Sequence, residues 1–222
     1  MPVTTIVKET QKKNVVATVI RESTIRTNYY LLLAIATLIT TFGLTLDSES
    51  ILIGGMLMAP LLRPILAFGL AIVTVSFKSI WRSLFGIITS VGLVLFLAYI
   101  SSLVLHPGAY LTNAILARGT YSHLYLFVAI LSGIGATYTL IDPKLPSALP
   151  AVAVSVSLLP PLCVSGIALA QESKVLLSNS FKVFGANLGG IIIASIFVFL
   201  IFRFKRLKRQ EEKEIVRSEK EE

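Results

Sequence analysis

Charge is what this sequence has least of. Only 14% of its 222 residues are charged, against about a quarter in an ordinary soluble domain. That scarcity excludes a typical soluble enzyme. The 55% hydrophobic content excludes a disordered chain as well. Cys163 is the one cysteine, so no intrachain disulfide can form. No Asn-x-Ser/Thr sequon occurs. The only histidines, His106 and His123, fall in one loop, and the acids Asp47 and Asp142 stand at the edges of apolar runs. There is no His-Glu-x-x-His, no Asp-rich metal motif and no phosphate loop. An enzyme is therefore not expected, and neither is a catalytic residue, a metal or a cofactor.

What is present is a set of long apolar runs, with a mean hydropathy of +0.81 over the chain. Six segments approach the roughly 20 residues that a bilayer requires: 29–46, 51–75, 83–105, 124–140, 151–170 and 181–202. The runs are continuous rather than alternating, which argues against a β-barrel. The first begins too far into the chain for a usual cleaved signal peptide, and no Ala-x-Ala-like site follows it. Placing both termini in the cytoplasm puts 16 of the 20 Lys and Arg residues on the inner side. That is the bias expected of a cell-membrane protein. It also explains the net charge of +8 without nucleic acid, which is not an expected partner.

The chain thus divides into a cytoplasmic segment 1–28, a transmembrane domain 29–202 and a charged cytoplasmic tail 203–222. Residues 1–28 carry Val15, Val16, Val19 and Ile20 at helical spacing. This predicts either an amphipathic helix lying on the membrane surface or an extension of the first span. The tail runs from basic to acidic and predicts a solvated helix continuing the last span.

The two halves of the domain, 29–105 and 124–202, superimpose at one offset of 97 positions. Pro64, Gly69 and Ala71 fall on Pro161, Gly166 and Ala168; Ser83 falls on Ser180 and Gly92 on Gly189. Each half has an odd number of spans, so the halves would sit in the membrane with opposite orientation. The expected fold is all-α: a polytopic protein of six transmembrane helices, built as a 3+3 inverted repeat with two proline-broken helices.

The breaks are expected at Pro60 and Pro64 in the first half and at Pro160 and Pro161 in the second. Proline removes an N–H and clashes with the preceding turn. The carbonyls it frees must face protein or water, because lipid offers them no partner. Two half-helices, 64–75 and 161–170, would then begin near the midplane. The expected substrate-binding residues are Gly54, Gly55, Pro60, Arg63, Pro64, Pro160, Pro161 and Asn187. Arg63 is the one ionisable residue deep within a span, where charge is costly and usually functional. Asn187 either lines the same site or bridges two helices.

The run Ile53-Gly54-Gly55-Met56-Leu57-Met58-Ala59-Pro60-Leu61-Leu62-Arg63-Pro64-Ile65 resembles a known pattern, as does Leu159-Pro160-Pro161-Leu162-Cys163-Val164-Ser165-Gly166-Ile167-Ala168-Leu169. Both are similar to the uncharacterised hydrophobic domain of archaea and bacteria known as domain of unknown function three-eight-nine. The Asn187-Leu188 pair fits as well. The resemblance implies a prokaryotic integral membrane protein and implies no reaction.

Paired broken helices of opposite orientation point to a channel or transporter for a small ion or polar solute. Two half-helix N-termini and a guanidinium would tilt the midplane towards an anion. Six spans are few for one transport unit, so a homo-oligomer in the lipid bilayer is expected. A membrane scaffold or sensor with no transported substrate is the alternative, although it has no need of the proline breaks.

Overall fold

The computed structural model describes residues 9–23, 27–105, 111–120, 122–142, 145 and 148–204. Every regular element among them is a helix. In order they are α1 (Glu9–Ser23), α2 (Thr27–Thr45), α3 (Glu49–Met58), α4 (Leu62–Thr74), α5 (Phe77–Leu105), α6 (Asn113–Arg118), α7 (His123–Ile141), α8 (Ala148–Ala170) and α9 (Lys174–Ile201). Four of them, α2, α5, α7 and α9, contain stretches long and apolar enough to cross a membrane. The pair α3 and α4 qualifies as a fifth span, bent by 48° at its break. In α8 the corresponding apolar stretch is shorter, Ser157–Ala170. The outward faces of α5, α7 and α9 expose Phe85, Phe96, Phe127, Leu131, Ile193 and Phe197. Water penalises such a belt and lipid does not, as befits a membrane-embedded protein.

The centre of the bundle is α8. It packs against α2, α3, α4, α5, α6, α7 and α9, and residues 157–168 are all buried. Around it, α5 packs on α2 and α4, while α9 packs on α7 and α4. Small residues set two of the crossings. A Cβ at Gly69 of α4 would collide with Ser195 of α9. A Cβ at Gly166 of α8 would collide with Ala98 of α5. In each case the glycines, and the residues they meet, lie 97 positions apart.

The turns that end α4 and α8 also match. Val75 and Glu172 both take left-handed φ values, 55° and 53°. Ser76 N–H donates to the Ala71 carbonyl at 3.1 Å, and Ser173 N–H to the Ala168 carbonyl at 3.0 Å. This is the six-to-one bond of a helix ending on a left-handed residue. The next helices then begin at Phe77 and Lys174.

The N-terminal stripe has found protein. Val15, Val16, Val19 and Ile20 of α1 are buried in one cluster with Ala67, Leu70 and Val73 of α4, Ile141 of α7, and Val198 and Phe199 of α9. The apolar face that predicts a surface helix is thus covered by the bundle rather than by headgroups. At the C-terminus α9 stops at Ile201. The tail helix expected beyond it falls on 205–222, outside the described residues.

One expectation about the prolines needs correcting. Only the first motif interrupts its helix. After Met58 the chain turns extended at Ala59 (φ −72°, ψ 121°) and resumes at Leu62. The residue before a proline is pushed out of the helical region, and Ala59 obeys. The second motif lies inside α8, which continues through Pro160 and Pro161. No separate half-helix begins at 161, because packing and a borrowed hydrogen bond hold that helix together.

Candidate functional site at the two proline motifs

Proline chemistry dictates which carbonyls are freed, and those of Met56, Pro60 and Ser157 have traceable partners. Pro60 has no N–H for the Met56 carbonyl, which accepts from Ala59 N–H at 3.4 Å instead. Pro64 has none for Pro60, whose carbonyl accepts from Arg63 N–H, also at 3.4 Å. Arg63 N–H is thereby diverted from Ala59. The Ala59 carbonyl accepts instead from Ser155 Oγ of α8 at 3.0 Å, in a buried bond. In the second motif Pro161 cannot serve the Ser157 carbonyl. Asn187 Nδ2 reaches across from α9 and donates to it at 2.7 Å. A carbonyl freed in each half is therefore closed by one side chain of the second half.

Around these bonds lies a buried seam of hydroxyls. Thr37, Thr40 and Thr41 of α2 are fully buried. Thr37 and Thr41 donate to their own helix, to the carbonyls of Leu33 and Thr37. Thr40 Oγ1 makes no hydrogen bond and rests on Gly55 of α3, where a Cβ would strike it. Cys163 is fully buried with its thiol against Thr41. Ser165 of α8 meets Ser180 of α9 at 2.8 Å. Farther along, Tyr29 and Tyr30 of α2 bond to Ser90 and Thr89 of α5 at 2.7 and 2.8 Å.

Of the expected site residues, Gly55, Pro64, Pro160, Pro161 and Asn187 are buried along these helices. Pro60 is half-buried at the break. Gly54 meets nothing at its Cβ position. Arg63 is exposed on the first turn of α4, within electrostatic reach of Tyr29. Ser155 and Ser157, which complete the seam, stand in the second proline motif but announce themselves only through their partners. His123 and Asp142 lie at opposite ends of α7. A groove of about 510 Å³ opens elsewhere, lined by Leu95, Leu169, Leu177, Phe181 and Lys182.

The seam can hold helices together while leaving each closing bond singly made and exchangeable. Uncharacterized protein MJ0678 of Methanocaldococcus jannaschii is 26% identical over 179 residues, covering 78% of this chain and 55% of that protein. The chain thus spans about half the length of the curated relative it matches. No solved structure matches it. The family described as Domain of unknown function (DUF389) matches residues 56–193. That span includes the Pro60 break, the Ser155 and Asn187 bonds and more than half of the chain, which belongs to this family.

Proposed function

We propose that this protein is an inverted-repeat membrane channel or transporter for a small ion or polar solute. In this proposal α3 and α4 form one span and α8 another, giving six spans, and the repeats are 29–105 and 124–202. Both termini face the cytoplasm, and copies of the chain associate in the bilayer. The observation that carries the proposal is the reciprocal crossing of the halves. Gly69 of the first half packs on Ser195 of the second, and Gly166 of the second on Ala98 of the first. Such two-fold exchange between opposed repeats is the architecture of alternating access.

The path would follow the seam between α8 and the α3–α4 break. There the Ala59 and Ser157 carbonyls are each held by one side chain. Exchanging those donors for a solute's groups would open polar contacts without unfolding a helix. The sequence favours an anion through Arg63, but that residue is exposed beside Tyr29, so the proposal leaves the sign of the solute open.

The test is flux through liposomes holding the purified full chain, across small anions, cations and neutral polar solutes. Flux above protein-free liposomes, altered in Asn187→Ala, is the expected result. Liposomes that stay tight to every solute would return the protein to the scaffold or sensor class.

A further inference from the structure

The correspondence between halves extends beyond the spans. Shifted by 97 positions, α6 (Asn113–Arg118) falls on residues 16–21, within α1. Ala114 lands on Ala17 and Arg118 on Arg21. The packing exchanges accordingly. Helix α1 touches α4 of its own half and α7 of the other; α6 touches α8 of its own half and α2 of the other. The match reaches single residues. Ile141, near the end of α7, is buried in the cluster that α1 completes. Leu44, 97 positions earlier and near the end of α2, accepts a hydrogen bond from Thr112 Oγ1 at the start of α6, at 2.6 Å.

We propose that α1 and α6 are equivalent capping helices, one per repeat, and that they gate the two ends of the seam between the halves. This rests on the inverted-repeat transporter proposed above. Each cap bridges its own half's proline-bearing helix and the other half's first span, so the halves cannot rock apart without releasing one of them.

The two caps are fastened differently. On α1 the fastening is apolar: Val16 is fully buried, Val19 and Ile20 nearly so, against Leu70 and Phe199. On α6 it is polar. Asp47 accepts from the Ala114 N–H at 2.7 Å and from Asn113 Nδ2 at 3.3 Å. Arg118 grips Glu49 through two bonds of 2.9 and 2.8 Å. Gly119, seated on Leu176, adds a contact across to α9. Exposed ion pairs weaken with ionic strength and apolar burial does not, so salt should loosen α6 more than α1.

Two reporters read the gates: Leu70→Cys and Ile167→Cys, 97 positions apart and both fully buried, each in a Cys163→Ser background. The full chain in sealed vesicles is treated with a membrane-impermeant maleimide from either side. With both caps intact, both reporters should be protected. Thr112→Ala with Arg118→Ala should speed labelling of Ile167→Cys by roughly tenfold, the combined worth of one hydrogen bond and one exposed ion pair. It should do so only from the face that carries α6, and high salt should act in the same direction. Val16→Ser with Val19→Ser should expose Leu70→Cys only from the opposite face. If the α1 variant fails to fold, a disulfide between Asp47→Cys and Asn113→Cys decides: it must keep Ile167→Cys protected at high salt and release it on reduction. Labelling of both reporters by either change, labelling from one face alone, or no labelling at all would overturn the gates. Because the readout is accessibility, an absence of flux with side-specific labelling intact would sink transport and leave the caps standing.

Discussion

Two proline motifs, drawn from the same chemistry, end differently. At Pro60 the helix opens into α3 and α4 with a 48° bend; at Pro160-Pro161 α8 runs on. The surroundings decide. Helix α3 turns Ile51, Ile53 and Leu57 outward, and Ala59 takes the extended backbone that a following proline favours. The turn of α8 around Pro160 and Pro161 is buried on every side. A break there would tear Leu158, Leu159 and Leu162 from a close-packed core. Asn187 then supplies the donor that Pro161 lacks. The lesson is that proline sets which carbonyl is freed, while burial and a neighbouring donor decide whether the helix yields.

The sharpest contrast between the halves is at the two crossing glycines. A Cβ at Gly166 would meet the Cβ of Ala98 and the Leu95 carbonyl, with the Tyr99 backbone nitrogen behind them. Backbone cannot swing aside. A Cβ at Gly69 would first meet the Ser195 hydroxyl, which can change rotamer. Overpacking costs about 1–3 kcal/mol, and replacing a helical glycine with alanine returns about 1 kcal/mol. Gly166→Ala should therefore destabilise the detergent-solubilised protein by up to about 2 kcal/mol, whereas Gly69→Ala should be near neutral. Equal losses in thermal unfolding would show that the crossings respond alike and that the halves do not differ there.

Next comes the borrowed bond in α8. Asn187→Leu leaves the Ser157 carbonyl buried without its side-chain donor, at a cost of about 1–3 kcal/mol. Pro161→Ala restores an N–H four residues ahead of that carbonyl. In the Pro161→Ala background, Asn187→Leu should cost less by about 1 kcal/mol. A double-mutant cycle on unfolding measures this, and additive losses would deny that Asn187 mends the proline. Spin labels flanking Pro161 should meanwhile report a sharper bend in Asn187→Leu than in the unaltered chain.

The first break has a smaller test. Ser155→Ala removes the hydroxyl on the buried Ala59 carbonyl, beside an already open turn whose backbone can shift. The expected loss is about 0.5–1 kcal/mol, below that of Asn187→Leu. A larger loss would make Ser155, rather than Asn187, the main tie between the motif helices.

Much of this was legible in the residues. Four of the six expected spans coincide closely with α2, α5, α7 and α9, because apolar runs of that length leave few alternatives in lipid. The proline positions marked where backbone bonding would be disturbed. What stayed hidden needed three dimensions. That Asn187 serves Ser157 depends on how α8 and α9 cross, which no local spacing encodes. Arg63 read as an interior charge because it stands in the middle of an apolar run; the structure places it on an exposed turn just past the break. The stripe on α1 was visible, but a stripe fits lipid and protein equally, and only packing against Leu70 and Phe199 tells them apart.

The smallest expected difference sits at the matched turns, Val75 and Glu172. Both residues hold left-handed φ values, which cost an L-residue roughly 1–2 kcal/mol and glycine almost nothing. A glycine also loses more conformational freedom on folding, by roughly 0.5–1 kcal/mol. The balance predicts a gain of about 0.5 kcal/mol for Val75→Gly. Valine carries two heavy atoms on Cβ and suffers more in this backbone region than glutamate. Glu172→Gly should therefore gain a few tenths of a kcal/mol less. Both side chains are exposed, so lost packing should not mask the difference. Thermal unfolding of the two variants in one detergent would resolve the order. If Val75→Gly destabilised while Glu172→Gly stabilised, the turns would differ in more than their side chains, and their shared hydrogen bonds would be the wrong measure of their likeness.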